Sequence, residues 1–104
     1  MKRDVKKRLI RAVNNFNNLY ITHAEAVNIL TIYGGSKEKA EKIYATMVTE
    51  WEVYLTSHNM VNPGIKGVPN TIAQKYFELY GITEKGIRKN LEAIERLEAK
   101  KEHE

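Results

Sequence analysis

The stretch SKEKAEKIYATMVTEWEVYL, residues 36–55, has the strongest periodicity in the chain. Its apolar residues recur at steps of three or four, the spacing that places side chains on one face of an α-helix. They are Ala40, Ile43, Tyr44, Met47, Val48, Trp51, Tyr54 and Leu55. The predicted helix is about 30 Å long at 1.5 Å per residue. Residues 53–55 are alternatively a short strand, but Trp51 and Tyr54 fit the helical face better.

Two helices are predicted before this long one. Residues 3–18 have apolar residues near a 3.6-residue period, which indicates an amphipathic helix. Thr22 and Glu25 have the spacing of a capping box, so a second helix is expected to begin there. That helix is expected to end at Gly34-Gly35, and Ser36 to cap the long helix.

Two more helices are predicted after a loop that contains both prolines. Asn70 is expected to cap the first of them, which ends at Gly81. Thr83 is expected to cap the second. The sequence therefore predicts an all-α fold of about five helices, in which helix-turn-helix-like units surround one long central helix.

The 104 residues are expected to form one helical domain for DNA binding and oligomerisation. Its expected parts are a basic N-terminal helix (1–20), a helical hairpin (21–56), a loop (57–70), a C-terminal helix pair (71–98) and a frayed tail (99–104).

The composition is that of a soluble, folded protein, with 42% hydrophobic and 29% charged residues. The lack of cysteine excludes disulfides and thiolate metal sites. No apolar run approaches the roughly 20 residues of a membrane span, and no signal peptide is recognisable. We therefore expect no membrane partner and a cytoplasmic location, in the host cell if the protein is viral.

Positive charge is concentrated at the N-terminus of a chain whose net charge is +4. Against Asp4 alone, the first 20 residues contain six basic residues: Lys2, Arg3, Lys6, Lys7, Arg8 and Arg11. Such a cluster favours a polyanionic partner, nucleic acid before anionic membrane. These six are the best candidates for phosphate contact, the alternative being a solvated helix end.

Residues 22–47 and 69–94 share a pattern of helix, Tyr-Gly corner and polar-capped helix. In a helix-turn-helix unit the first turns of the second helix face the major groove of DNA. The exposed cations there are Lys37, Lys39 and Lys42 in one unit and Lys85, Arg88 and Lys89 in the other. Arg88 is suited to a bidentate contact with a guanine edge. Ordinary surface lysines are the alternative interpretation.

The aromatic stripe of the long helix has two interpretations. Its rings suit base stacking, but burial is the more common fate of aromatic residues at helical spacing. One small domain has difficulty covering so broad a stripe, so part of it is expected to pack against a second copy. The predicted homo-oligomer interface consists of Tyr44, Met47, Trp51 and Tyr54.

No catalytic motif is recognisable. His23, His58 and His103 are isolated, without the spacing of metal ligands. There is no glycine-rich phosphate loop and no nucleophile elbow. We therefore expect no metal, no cofactor and no enzymatic activity.

Four segments resemble the small terminase subunits of cohesive-end tailed phages. They are the two helices over Thr22–Tyr33 and residues 36–55, the Asn62-Pro63 turn, and Gly81-Ile82-Thr83 followed by Arg88. Glu84 stands in place of the family's usual proline, and Arg88 falls slightly later than its arginine. The resemblance covers about three quarters of the chain.

The resemblance implies a ring-forming homo-oligomer that binds double-stranded DNA, marks the viral genome for packaging and modulates the large terminase subunit. Such a subunit hydrolyses nothing itself. Two other functions fit the same features. One is a dimeric helix-turn-helix transcriptional regulator. The other is a helical protein-interaction adaptor with no nucleic-acid role.

Overall fold

The computed structural model describes residues 2–62, 64 and 66–102, without the side chains of residues 2–4, 101 and 102. Pro63 of the predicted Asn-Pro turn and His103 lie outside this range. The described residues form five helices and a two-stranded ribbon, so the all-α prediction is confirmed. In order they are α1 (Lys2–Asn15), β1 (Tyr20–Ile21), α2 (His23–Gly34), α3 (Lys37–Ser57), β2 (Val68–Pro69), α4 (Asn70–Leu79) and α5 (Glu84–Glu102).

The long predicted helix is α3, which continues unbroken through residues 53–55 and so excludes the strand alternative. The Ser36 hydroxyl caps it by accepting a hydrogen bond from the Lys39 backbone N–H at 3.2 Å. Its buried side chains follow the predicted period and face α2 and α4. They are Ala40, Met47, Trp51 and Leu55.

The cap of α2 forms at Thr22, as predicted, although its hydrogen bonds differ from those of a capping box. The hydroxyl oxygen accepts from the Glu25 backbone N–H at 3.3 Å and the hydroxyl donates to the Glu25 carboxylate at 2.8 Å. Glu25 thus reinforces the capping side chain rather than the Thr22 backbone N–H. Gly35, in the left-handed region at φ 72°, ends the helix.

The short ribbon corrects the expectation that the chain contains no sheet. β2 lies within the predicted loop and pairs antiparallel with β1, with Ile21 opposite Val68. Both side chains are fully buried. Gly67, at φ 103°, precedes β2, and a Cβ atom there would lie 2.0 Å from the Ile21 carbonyl oxygen. The close approach of the two backbones therefore requires glycine.

Asn70 is not the cap of α4, contrary to the prediction. That position belongs to Pro69, which makes no side-chain cap. The Asn70 side chain is buried instead, and its amide nitrogen donates to the carbonyl of Asn15 at 2.8 Å and of Asn18 at 2.6 Å. Because α1 ends at Asn15 rather than Asn18, these carbonyls lack the donor four residues on that a continuing helix would supply, although the Asn15 carbonyl also accepts from the Asn18 N–H at 3.2 Å. Asn70 therefore joins α4 to the end of α1.

α5 begins as predicted, with the Thr83 hydroxyl accepting from the Gly86 N–H at 3.1 Å. Residues 99–102, within the predicted frayed tail, continue the helix. These residues are Ala, Lys, Lys and Glu, all strong helix formers without a breaker. α5 packs chiefly against α1. Among the described helices, none combines the length and apolar character needed to cross a lipid bilayer.

Candidate nucleic-acid interface

The outer face of α1 carries three exposed cations. Its inner face is buried in the core through Leu9, Ala12 and Val13. Lys7 and Arg11 are four residues apart and share the opposite side of the helix. Arg8 lies beside them. No described carboxylate is within ion-pair distance of Lys7, Arg8 or Arg11.

Lys6 differs from these neighbours because it faces α5. Its ammonium is 2.9 Å from the Glu98 carboxylate, and the lysine is half-buried. Phosphate contact by Lys6 would therefore compete with an ion pair that links two helices. Lys2 and Arg3, also predicted to contact phosphate, lie in α1, but their side chains fall outside the described residues.

The first turns of α3 present the three predicted lysines to solvent in different surroundings. Lys37 has no carboxylate within ion-pair distance in the part of the chain that the structure describes. The Lys39 ammonium lies 5.6 Å from the centre of the Tyr80 ring, a cation–π distance. The Lys42 ammonium is 3.9 Å from the Glu38 carboxylate, a loose surface pair that is screened by water.

The cations of α5 are partly neutralised by the same helix. Arg88 donates from Nη2 to the Glu84 carboxylate at 2.9 Å and from Nε at 3.3 Å. A bidentate contact with guanine would require this carboxylate to release the guanidinium. Lys85 and Lys89 are exposed on the same face, between Glu84 and Glu92. This surface alternates in charge instead of being uniformly positive.

A groove between α1, α2 and α3 brings together two predicted basic sets. Arg8 of α1 and Lys37 of α3 both line it. His23 and Glu41 lie in the same groove and are joined by a 2.5 Å contact between imidazole Nε2 and a carboxylate oxygen. The sequence treats the N-terminal cluster and the lysines of α3 as separate candidates, whereas the fold places Arg8 of the first and Lys37 of the second in one groove.

The two Tyr-Gly corners also meet in the fold. The Tyr33 hydroxyl accepts a 2.9 Å hydrogen bond from the Asn90 amide of α5. Tyr80, at the other corner, contacts Lys39 of α3. Each corner tyrosine therefore contacts the second helix of the other unit. A cavity of about 210 Å³ lies between the corners, lined by residues of both.

The four residues of the predicted oligomer interface differ in exposure. Met47 is 0% exposed and Trp51 is 8% exposed within a single chain, because both side chains pack into its own core. Both side chains are thus covered almost completely within one chain, and their predicted contact with a second copy stays a prediction. Tyr44 is half-buried, with its ring centre 4.7 Å from that of His23. Tyr54 is 45% exposed and remains a candidate contact.

Two tyrosines, Tyr44 and Tyr76, have a raised hydroxyl pKa. Burial, with a smaller contribution from Glu41, raises the pKa of the Tyr44 hydroxyl. Between α3 and α4, the Glu50 carboxylate accepts hydrogen bonds from Lys75 at 2.6 Å and from Tyr76 at 2.9 Å. The hydrogen bond from Lys75 contributes most, and that from Tyr76 next, to lowering the pKa of the Glu50 carboxyl group. The sequence offers no signal for this cluster, since 25 residues separate Glu50 from Lys75.

No group of three or more His, Cys, Asp or Glu side chains within the described ranges is placed to hold a metal ion. The interface features that the structure offers are therefore cations, hydrogen-bond donors and exposed tyrosines. No protein-family model, curated protein or solved structure matches this chain.

Proposed function

We propose that this chain is a non-catalytic DNA-binding subunit that contacts double-stranded DNA through α1 and the start of α3. The observation that supports this is the shared groove of Arg8 and Lys37, extended along α1 by Lys7 and Arg11. None of these four cations is within ion-pair distance of a described carboxylate. Phosphate binding by such cations releases condensed counterions, which drives association with DNA.

More specifically, we propose a homo-oligomeric ring that recognises viral DNA for packaging and regulates a large terminase subunit. The resemblance to small terminase subunits supports this role. The same role is supported by the small size of the cation set on α1 and α3, because a ring repeats weak phosphate contacts and multiplies their effect. The exposed side chains at the end of α3, Val53 and Tyr54, are available for contact with a neighbouring copy.

DNA binding is tested by fluorescence anisotropy with a short labelled duplex over a series of salt concentrations. Replacing Lys7, Arg8 and Arg11 together with alanine removes up to three phosphate contacts. We expect affinity to fall about 10- to 100-fold at low salt and the log–log salt slope to flatten by roughly 2 to 3. The matched control replaces Lys85, Arg88 and Lys89, and its effect should be several-fold smaller. Equal effects would contradict the assignment to α1.

The oligomeric state is tested by native mass spectrometry of the purified chain. A closed assembly of many copies supports the packaging role and calls for an ATPase assay with a large subunit. A dimer instead favours a transcriptional regulator. A monomer that fails to bind DNA favours the protein-interaction adaptor and overturns the proposed function.

A further inference from the structure

The groove between α1, α2 and α3 contains hydrogen-bond donors that the fold leaves unused. Its volume is about 380 Å³, and its polar lining consists of Arg8, His23, Asn28, Thr31, Lys37 and Glu41. The Thr31 hydroxyl and the Asn28 amide nitrogen are both buried. Neither has a hydrogen-bond partner among the residues that the structure describes.

A buried donor without a partner destabilises the folded state, because it has lost its hydrogen bonds to water. Most buried polar groups in folded proteins have partners, so two orphaned donors on one helix call for an explanation. Thr31 lies three residues after Asn28, and this spacing places both on the same side of α2. Both residues line the groove between α1, α2 and α3.

The charges around the groove indicate which ligand would satisfy these donors. Arg8 and Lys37 approach from α1 and α3, and neither has a described carboxylate within ion-pair distance. The single carboxylate among the lining residues, that of Glu41, contacts His23 at 2.5 Å. Two cations with two neutral donors suit a compact oxyanion that has several acceptor oxygens.

We propose that this groove binds a phosphate group, with Arg8 and Lys37 balancing its charge and Asn28 and Thr31 donating hydrogen bonds to its oxygens. A DNA phosphodiester and a free phosphate share this chemistry. The DNA source rests on the function proposed above, whereas binding of inorganic phosphate does not depend on it. This site is more specific than the row of cations on α1, because it also requires the neutral donors of α2.

Two substitutions with opposite expected effects test the site. Thr31→Val keeps the shape of the side chain and removes its hydroxyl donor. Because that donor has no partner, the variant should fold at least as stably as the parent. Hydrogen bonds to charged groups contribute about 1.5–3 kcal/mol, so phosphate affinity should fall about tenfold or more. Glu41→Gln removes the carboxylate and should raise the affinity several-fold.

Binding is measured by amide chemical shifts in an NMR titration with inorganic phosphate, compared with sodium chloride at equal ionic strength. We expect selective shifts at Ala24, Asn28 and Thr31. Thr49→Val is the matched control, because its exposed hydroxyl donates to the Ala45 carbonyl on α3. This variant should bind phosphate as the parent does. Unshifted groove amides, or equal affinities for the Thr31→Val, Glu41→Gln and parent proteins, would overturn the proposal.

A parallel DNA titration identifies the source of the phosphate. If Thr31→Val weakens both inorganic phosphate and DNA, the groove holds a phosphodiester of the duplex. If it weakens inorganic phosphate alone, the phosphate site is supported and its ligand is a free phosphate. If the parent binds phosphate but no DNA, the proposed function fails while this site stands. If the parent binds DNA but the groove amides do not shift with phosphate, the phosphate site fails while the proposed function stands.

Discussion

α1 and α5 are neighbouring amphipathic helices rich in basic residues, yet their charges are differently available. α1 contains one acidic residue, Asp4, whereas α5 contains five glutamates. In α5, Glu84 precedes Arg88 by four residues and Glu92 precedes Arg96 by four, and both pairs are in contact. On α1 the exposed cations lack such partners among the described carboxylates. The spacing of carboxylates on a helix therefore predicts the availability of its cations better than the number of cations does.

The two helices also differ in how they are held. The C-terminal end of α1 is fixed by the buried amide of Asn70 and by packing of Phe16 on Phe77, whose ring centres are 5.5 Å apart. The far part of α5 leaves Leu97 51% exposed. The exposed cations of α1 thus lie on the better anchored helix, which reduces the ordering cost of binding a rigid duplex. The following predictions test this contrast.

The largest effect is expected where the ribbon anchors the segment between α1 and α2. Gly67→Ala places a Cβ atom 2.0 Å from the Ile21 carbonyl oxygen and also forces a non-glycine residue to a positive φ. We expect a loss of about 3 kcal/mol or more in the free energy of unfolding, measured with urea. Gly64→Ala is the control, with positive φ but open space, and should cost about 1 kcal/mol. Equal losses would refute the close approach.

Asn70→Ala removes a buried link between α4 and the end of α1. The Asn18 carbonyl loses the donor that Asn70 supplies, whereas the Asn15 carbonyl keeps the Asn18 backbone N–H, so unfolding should become easier by about 1–3 kcal/mol. Hydrogen exchange should accelerate in α1 more than in α5. Asn17→Ala is the control, because its exposed side chain donates one long bond of 3.3 Å to Val13, and the change should be below about 0.5 kcal/mol. Uniform acceleration across both helices would contradict the local anchor.

The helices and most of their caps were predictable because their signals are local. Hydrophobic spacing identifies α3, and Thr22, Ser36 and Thr83 cap helices through backbone groups three residues away. The prediction that Asn70 caps α4 is wrong because it, too, relied on a local signal. An asparagine at a helix start resembles a cap, but its partner is the end of α1, 55 residues away in sequence.

The candidate site was predictable only in part, because its composition depends on contacts distant in sequence. The cations themselves are visible in the sequence. The sequence does not show which cations are available to a ligand. Lys6 pairs with Glu98, 92 residues later, whereas Arg8 lines a groove together with Lys37. The donors of Asn28 and Thr31 resemble ordinary polar residues of a helix until the fold leaves them without partners. Burial, rather than residue type, makes them informative.

The smallest effect is expected when the carboxylate beside Arg88 is neutralised. Glu84→Gln keeps the length of the side chain and releases the guanidinium from a pair 2.9 Å long. An exposed pair of this kind is worth at most about 1 kcal/mol, so DNA affinity should rise about two- to threefold. Because Glu84 also lies in the first turn of α5, where negative charge is favourable, the helix should become slightly less stable.

Glu92→Gln is the control for this last change. It releases Arg96 from a looser pair 4.0 Å long and further along the helix, and its effect on anisotropy should be smaller. If Glu84→Gln leaves DNA affinity unchanged while loss of the α1 cations abolishes it, then α5 lies away from the duplex. The contrast between the helices would then be one of position rather than of charge pairing. A gain that disappears when Arg88→Ala is added would assign the difference to Glu84.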